Sequence, residues 1–149
     1  MIAAPNETRV AVLDDDIRFI RLVERVLRDE HIDVLPITTL DLEEAARIVG
    51  ESGCIAALVD IYMYGDAAGF TLIEKLRAHP ATSELPLIVT SGAHREVGRK
   101  VAFLVEHKCT VLLKPFEVAD LIAKVRGAST RKAKVQRRSR VMAPAKAGK

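Results

Sequence analysis

The order of hydrophobic and polar residues along the chain predicts strands and helices in alternation. Short apolar runs, typical of strands covered on both faces, occur at residues 8–13, 32–37, 55–59, 87–89 and 111–113. A segment with apolar residues at helical spacing follows each run. Five such units predict an α/β fold with a doubly wound, five-stranded parallel sheet, because right-handed crossovers place helices on both faces.

Local signals fix several element boundaries. Asp16 is interpreted as the cap of the first helix, and Asp41 has capping-box spacing at the start of the second. Pro36 suits an edge position for the second strand. The fourth helix is predicted over residues 94–108, and Gly127 predicts the end of the fifth.

The charge distribution divides the chain into an acidic domain and a basic tail. Residues 128–149 hold eight Lys or Arg and no acid, so residues 1–127 keep fifteen basic and twenty acidic groups. Residues 1–127 therefore have a net charge of −5, although the whole chain has +3. The tail has too few large apolar residues for a core, and we expect a flexible arm. We therefore predict an N-terminal extension at 1–7, a domain at 8–127 and a flexible basic tail at 128–149.

Composition also bounds the environment of the protein. Hydrophobic residues make up 49% of the chain and aromatic ones 4%, which predicts a single aliphatic core. No apolar run is long enough to span a bilayer, and the first residues lack the features of a secretory signal. Cys54 and Cys109 have no metal-type spacing and are interpreted as buried thiols. These features favour the cytoplasm.

Four of the apolar runs end at chemically useful side chains. Asp14 and Asp15 follow the first run, Asp60 follows the third, Thr90 the fourth and Lys114 the fifth. Ligands of parallel sheets bind beyond the carboxyl ends of the strands, so these groups should converge. Three carboxylates, a hydroxyl and an ammonium predict a site for a cation and a phosphoryl group.

The motifs VLDDD, VDIYM, VTSG and LLKPF occur in this order at those strand ends. Over residues 8–127 the chain resembles the receiver domain of two-component response regulators, which implies the sheet order 2-1-3-4-5. The resemblance implies that Asp60 accepts a phosphoryl group from a sensor histidine kinase or a histidine phosphotransfer protein. It also implies Mg²⁺ bound by Asp15, Asp60 and the backbone carbonyl of Tyr62, with Asp14 acting through a water or behind these ligands.

The same resemblance gives roles to the remaining strand ends. Lys114 would neutralise the phosphoryl oxygens, and Thr90 would donate a hydrogen bond to them and respond to their arrival. The Lys114-Pro115 peptide is typically cis in receivers, where it directs the lysine inward. Autodephosphorylation would be slow, so the protein is expected to be a phosphoryl acceptor and not a dedicated enzyme.

The chain departs from the family pattern in two places. Tyr64 stands where receivers commonly have a proline, and Gly69 lies one place later than the usual glycine. Val111 occupies a position that is often aromatic in receivers. In those receivers the aromatic ring swings into the space that is left when the hydroxyl residue, here Thr90, moves toward the phosphoryl group. Because valine cannot make that swing, we expect a modified output route across the fourth helix, fifth strand and fifth helix.

Two functional interpretations stay open at this point. The first is a stand-alone receiver that binds an unknown output protein, as a monomer or a phosphorylation-dependent dimer. The alternative is a receiver whose basic tail binds nucleic acid or an anionic surface, although the tail is too short for a helix-turn-helix and has no aromatic residue for base stacking. Dehalogenase-type phosphatases need an aspartate where Tyr62 stands, and the acidic first loop would repel an FMN phosphate. P-loop and Rossmann glycine patterns are absent from the sequence.

Overall fold

A five-stranded parallel sheet forms the centre of the molecule in a computed structural model of the chain. The structure describes residues 8–63 and 65–142, excluding the side chains of 132–136 and 139–142. The strands are β1 (Arg9–Leu13), β2 (Asp33–Ile37), β3 (Ala56–Asp60), β4 (Leu87–Ser91) and β5 (Cys109–Leu113). They pair in the order β2-β1-β3-β4-β5, which confirms the predicted fold class and sheet order. The N-terminal extension at 1–7, Tyr64 and residues 143–149 lie outside the described residues.

Helices cover both faces of this sheet, as a doubly wound fold requires. They are α1 (Ile17–Asp29), α2 (Leu42–Glu51), α3 (Ala68–Ala78), α4 (His94–Arg99), α5 (Val101–Glu106) and α6 (Val118–Met142). The inner faces of α1 and α6 pack with one side of the sheet, and those of α2 to α5 pack with the other. Both layers are aliphatic, with Leu58, Leu72 and Leu121 no more than 1% exposed. Burying such side chains is the main stabilising contribution to the fold.

The predicted caps and the predicted edge strand are confirmed. Asp16 accepts hydrogen bonds from the backbone N–H groups of Arg18 and Phe19, and Asp41 does the same for α2. These contacts satisfy N–H groups that have no partner within the helix. Among the described strands, β2 pairs only with β1, so Pro36 removes no hydrogen bond from an inner ladder.

Two helix predictions are wrong. The single helix expected over 94–108 is two helices separated at Lys100, whose φ of −107° and ψ of 16° leave helical geometry two residues after Gly98. The last helix does not end at Gly127 but continues to Met142, so residues 128–142, which were expected to belong to a flexible arm, are helical. One helical glycine costs only about 1 kcal/mol relative to alanine, and the following Ala-, Lys- and Arg-rich segment favours helix.

The two cysteines lie in different surroundings. Cys54 is a buried thiol, as predicted, whereas the thiol of Cys109 is only half-buried. Its pKa is raised to about 11 because burial disfavours the thiolate, and the nearby Arg77 opposes that effect. Among residues 8–63 and 65–142, no helix combines the length and the hydrophobicity needed to cross a membrane.

Candidate functional site

Three carboxylates converge at the carboxyl edge of the sheet, where β1 and β3 end side by side. Asp14 and Asp15 follow β1 directly, and Asp60 is the last residue of β3. One oxygen from each lies within 4.8 Å of an oxygen of the other two. Asp14 is buried at 1% exposure, Asp60 is nearly buried at 9%, and Asp15 is exposed. The convergence predicted from the strand ends is therefore present.

Lys114 extends from the end of β5 into this cluster. Its Nζ lies 3.0 Å from Asp14 Oδ2 and 3.5 Å from Asp60 Oδ2, and 3.9 Å from the centroid of the Phe19 ring. A cation near a carboxylate and above an aromatic face is stabilised by both. The single ammonium thus bridges two carboxylates, and it lies closer to Asp14.

The backbone around Lys114 is held on both sides. The peptide before Pro115 is cis, as the family resemblance implied. The Lys114 N–H donates to the Ser91 carbonyl over 2.8 Å, and the Lys114 carbonyl lies 2.8 Å from Nε2 of His94. The His94 contact could not be predicted from local sequence, because the pairing of β4 with β5 is what brings residues 94 and 114 together.

Burial and charge act together on Asp60. The pKa of its carboxyl is raised from 3.8 to about 6 by the combined effects of its surroundings. Desolvation is the largest of these, the ammonium of Lys114 lowers the pKa, and the charges of Asp14 and Asp15 raise it further. Asp60 is therefore mostly ionised at neutral pH, at a cost in free energy. A nearly buried carboxylate with two carboxylate neighbours and one ammonium neighbour would be stabilised by additional positive charge.

Backbone N–H groups orient two of the carboxylates. Asp60 Oδ1 accepts from the Tyr62 N–H over 3.2 Å, and Asp14 Oδ1 accepts from the Asp16 N–H over 2.8 Å. Asp14 thus has one oxygen on a backbone donor and the other on Lys114, which fits its predicted place behind the metal ligands. The metal role predicted for the Tyr62 carbonyl stays a prediction.

Thr90 lies beside Asp60 on the neighbouring strand, since the two residues are register partners in β3 and β4. Its side chain is 1% exposed. The hydroxyl of the next residue, Ser91, accepts a hydrogen bond from the Ala93 N–H over 3.0 Å and so stabilises the turn. Val111 is half-buried on β5, opposite Val89, on the face that packs with α2 to α5.

The loop from Tyr62 to Gly69 closes tightly over the end of β3. Met63 and Asp66 exchange backbone hydrogen bonds, and Gly65 between them has a φ of +77°, a conformation that favours glycine. The Gly69 N–H donates to the Ile61 carbonyl, and a Cβ at position 69 would lie 2.3 Å from the carbonyl oxygen of Asp60. The sequence showed Gly69 as a departure in spacing but not this close approach.

Comparison with known proteins identifies the family that the chain resembles. The family model described as the response regulator receiver domain matches residues 10–126. The transcriptional regulatory protein PrrA of Mycobacterium tuberculosis is 35% identical over 118 residues, which cover 79% of this chain and 48% of that protein. PrrA of Mycobacterium leprae is 34% identical over 121 residues, or 81% and 49% of the two chains. The chain spans about half the length of these relatives.

Solved structures show the same fold. A putative response regulator from Chloroflexus aurantiacus is 27% identical, with a TM-score of 0.69 over 83% of this chain and 98% of that one. The receiver domain of the sensor histidine kinase PA1611 from Pseudomonas aeruginosa, solved with a magnesium ion coordinated in its active site cleft, is 19% identical. Its TM-score is also 0.69, over 83% of this chain and 98% of that one.

Proposed function

The chain belongs to the response regulator receiver family, and from this premise we propose that Asp60 is its phosphoryl acceptor. The donor would be a phosphohistidine of a sensor histidine kinase or of a histidine phosphotransfer protein. The observation that carries the proposal is the position of Asp60 at the end of a central strand, nearly buried and within reach of one ammonium and two further carboxylates. Burial and the charges of Asp14 and Asp15 disfavour the ionised form of Asp60, and the Lys114 ammonium offsets them only in part.

The transfer exchanges one bond to phosphorus for another. A carboxylate oxygen of Asp60 attacks the phosphorus, the phosphorus–nitrogen bond breaks, and the departing imidazole takes up a proton. The product is an acyl phosphate on Asp60. Such transfers depend mainly on positioning and on neutralising charge. The Tyr62 N–H positions the carboxylate, and Lys114 is close enough to turn from Asp60 to the phosphoryl oxygens.

The donor set fits a magnesium ion. Carboxylate oxygens are hard ligands of the kind that Mg²⁺ prefers, and Asp14, Asp15 and Asp60 present three of them within 4.8 Å. Asp15 and Asp60 would hold the ion with the Tyr62 carbonyl, and Asp14 would support them. When bound, Mg²⁺ supplies positive charge that offsets repulsion between Asp60 and the phosphoryl group. The magnesium ion in the Pseudomonas receiver domain supports this proposal through likeness of fold.

An output protein would recognise the phosphorylated state at the surface formed by α4, α5, β5 and the start of α6. Four large apolar side chains on these elements are exposed, namely Val101, Val105, Leu113 and Val118, with exposed fractions of 36–70%. Exposed apolar groups of this kind are typical of a surface that binds another protein. Thr90, buried beside Asp60, would respond to the phosphoryl group, but Val111 has no ring to swing. We place this switch in the cytoplasm, as a monomer or a phosphorylation-dependent dimer.

Labelling with a small phosphodonor tests the acceptor directly. Phosphoramidate with Mg²⁺ should add one phosphoryl group to the wild-type chain, measured by intact mass, and EDTA should prevent the addition. Asp60→Asn should abolish labelling, whereas Asp16→Asn, a matched change at the nearby helix cap, should leave it intact because asparagine also caps helices. Undiminished labelling of Asp60→Asn would refute the assignment.

A further inference from the structure

The part of α6 beyond Ala128 is an uninterrupted helical extension with a strongly basic sequence. We call residues 129–142 the basic extension. Ala128 is buried at 5% exposure against the sheet, and the described side chains of Arg131, Arg137 and Arg138 are all exposed. No acidic residue follows Asp120 in the chain, and six basic residues occur within these fourteen positions. The extension therefore concentrates positive charge beyond the packed core.

The basic extension is a continuation of the helix that carries many positive charges. Fourteen helical residues span about 21 Å at 1.5 Å per residue. Arg131 and Arg138 are seven residues apart, so they lie close to the same face, two turns from each other. Neither these two nor Arg137 forms an ion pair with another described residue. Like charges at this density destabilise an isolated helix, and a polyanion would relieve the repulsion.

The extension lies far from the acceptor site. α6 begins at the carboxyl edge of the sheet, just after Lys114, and runs toward the opposite edge. There Arg126 pairs with Glu30, which lies between α1 and the start of β2. The basic extension continues past this point. A ligand bound to it would therefore leave Asp60 accessible to a phosphodonor.

The composition of the extension selects among possible polyanions. A helix lying on an anionic membrane carries large apolar residues such as Trp, Phe or Leu opposite its charges, and residues 129–142 contain none of these. Protein interfaces obtain most of their affinity from buried anchors rich in aromatic residues, and the segment has no aromatic residue and only Val135, Val141 and Met142 as larger apolar ones. Binding to phosphate backbones needs only cations in a regular array, and the guanidinium group suits phosphate oxygens.

We propose that the basic extension binds the phosphate backbone of a nucleic acid duplex without regard to sequence. A helix of this width fits the major groove of DNA, although contacts to phosphates alone would suffice. The extension would add a second binding function to the phosphoryl acceptor, and it depends on a different edge of the molecule.

Fluorescence anisotropy of labelled DNA and RNA duplexes with the full chain tests this proposal. Affinity should fall steeply between about 50 and 200 mM NaCl, with a logarithmic slope of about −0.9 for each phosphate contacted. The triple variant Arg131→Gln, Arg137→Gln, Arg138→Gln should reduce the size of that slope by about three. The matched triple Arg18→Gln, Arg21→Gln, Arg25→Gln removes equal charge from exposed positions on α1 and should leave the slope unchanged. Tighter binding of one duplex identifies the nucleic acid involved.

Several outcomes would overturn the proposal. Absence of binding at 50 mM NaCl would do so, and so would an equal loss in the two triple variants, since binding would then follow net charge and not the extension. Binding to vesicles containing phosphatidylserine in preference to both duplexes would assign the extension to a membrane surface. Circular dichroism and phosphoramidate labelling of both triple variants provide the check on folding, because neither change touches the acceptor site.

Discussion

Replacing Asp60 by asparagine should make the metal-free protein more stable at neutral pH, although it removes the proposed acceptor. The folded-state pKa of Asp60 is raised from 3.8 to about 6, chiefly by burial. The folded state therefore binds the proton more tightly than the unfolded chain does. The resulting loss of folding stability is absent below pH 3.8, develops between pH 3.8 and pH 6, and is complete above pH 6.

The size of the effect follows from that shift. The rise in the pKa of Asp60, at about 1.4 kcal/mol for each pH unit, lowers the free energy of unfolding by about 3 kcal/mol at pH 7.5 and by about half as much at pH 5. Asparagine has nearly the same shape and keeps an oxygen for the Tyr62 N–H, while it carries no charge for Asp14 and Asp15 to repel. The gain should therefore approach the full electrostatic cost.

Urea denaturation in EDTA at pH 7.5 and pH 5 measures both values. Asp60→Asn should raise the free energy of unfolding at both, and by more at pH 7.5. Asp29→Asn makes the same change at an exposed position of α1 and should shift stability by less than about 0.5 kcal/mol. Saturating Mg²⁺ should then stabilise the wild type more than Asp60→Asn. A less stable Asp60→Asn protein at pH 7.5, or a gain that does not change with pH, would refute the reasoning.

Three further substitutions test other parts of the site. Lys114→Met should destabilise the metal-free protein by about 1–3 kcal/mol in urea titrations, because two carboxylates lose their shared cation, and Mg²⁺ should restore much of the loss. Gly69→Ala should lower the free energy of unfolding by more than about 2 kcal/mol and slow the labelling of Asp60, because the added Cβ would clash with the Asp60 carbonyl. The control Gly98→Ala, which has open space around it, should leave stability unchanged or increase it. Val111→Tyr should alter the affinity of an output partner, measured by calorimetry in both phosphorylation states, without changing labelling; unaltered affinity in both states would contradict this.

The residues at the ends of the strands could be predicted because their placement follows from topology alone. Once β1, β3, β4 and β5 are recognised as parallel strands, their carboxyl ends must meet at one edge. The caps at Asp16 and Asp41 depend on neighbours in the sequence, and both were predicted correctly. The convergence of side chains around Asp60 was therefore the part of the site most accessible to sequence reasoning.

The errors and omissions concern interactions between residues distant in the chain, or small differences in helix free energy. Nothing local to Lys114 shows that it lies over Phe19 and nearer to Asp14 than to Asp60. The end predicted at Gly127 failed because a glycine only weakly opposes a helix that continues in favourable residues on both sides. The close approach at Gly69 depends on how the loop folds back onto β3, which spacing cannot reveal.

The charge balance of the site links its stability to its proposed chemistry. Lys114 lies 3.0 Å from Asp14 and 3.5 Å from Asp60, so its attraction is divided and Asp60 keeps a raised pKa. A second lysine would stabilise the fold but would also occupy the carboxylate that we propose attacks phosphorus. The site instead leaves a deficit of positive charge, which a divalent cation can fill. Stabilisation by Asp60→Asn and stabilisation of the wild type by Mg²⁺ should therefore appear together, because both remove the same repulsion.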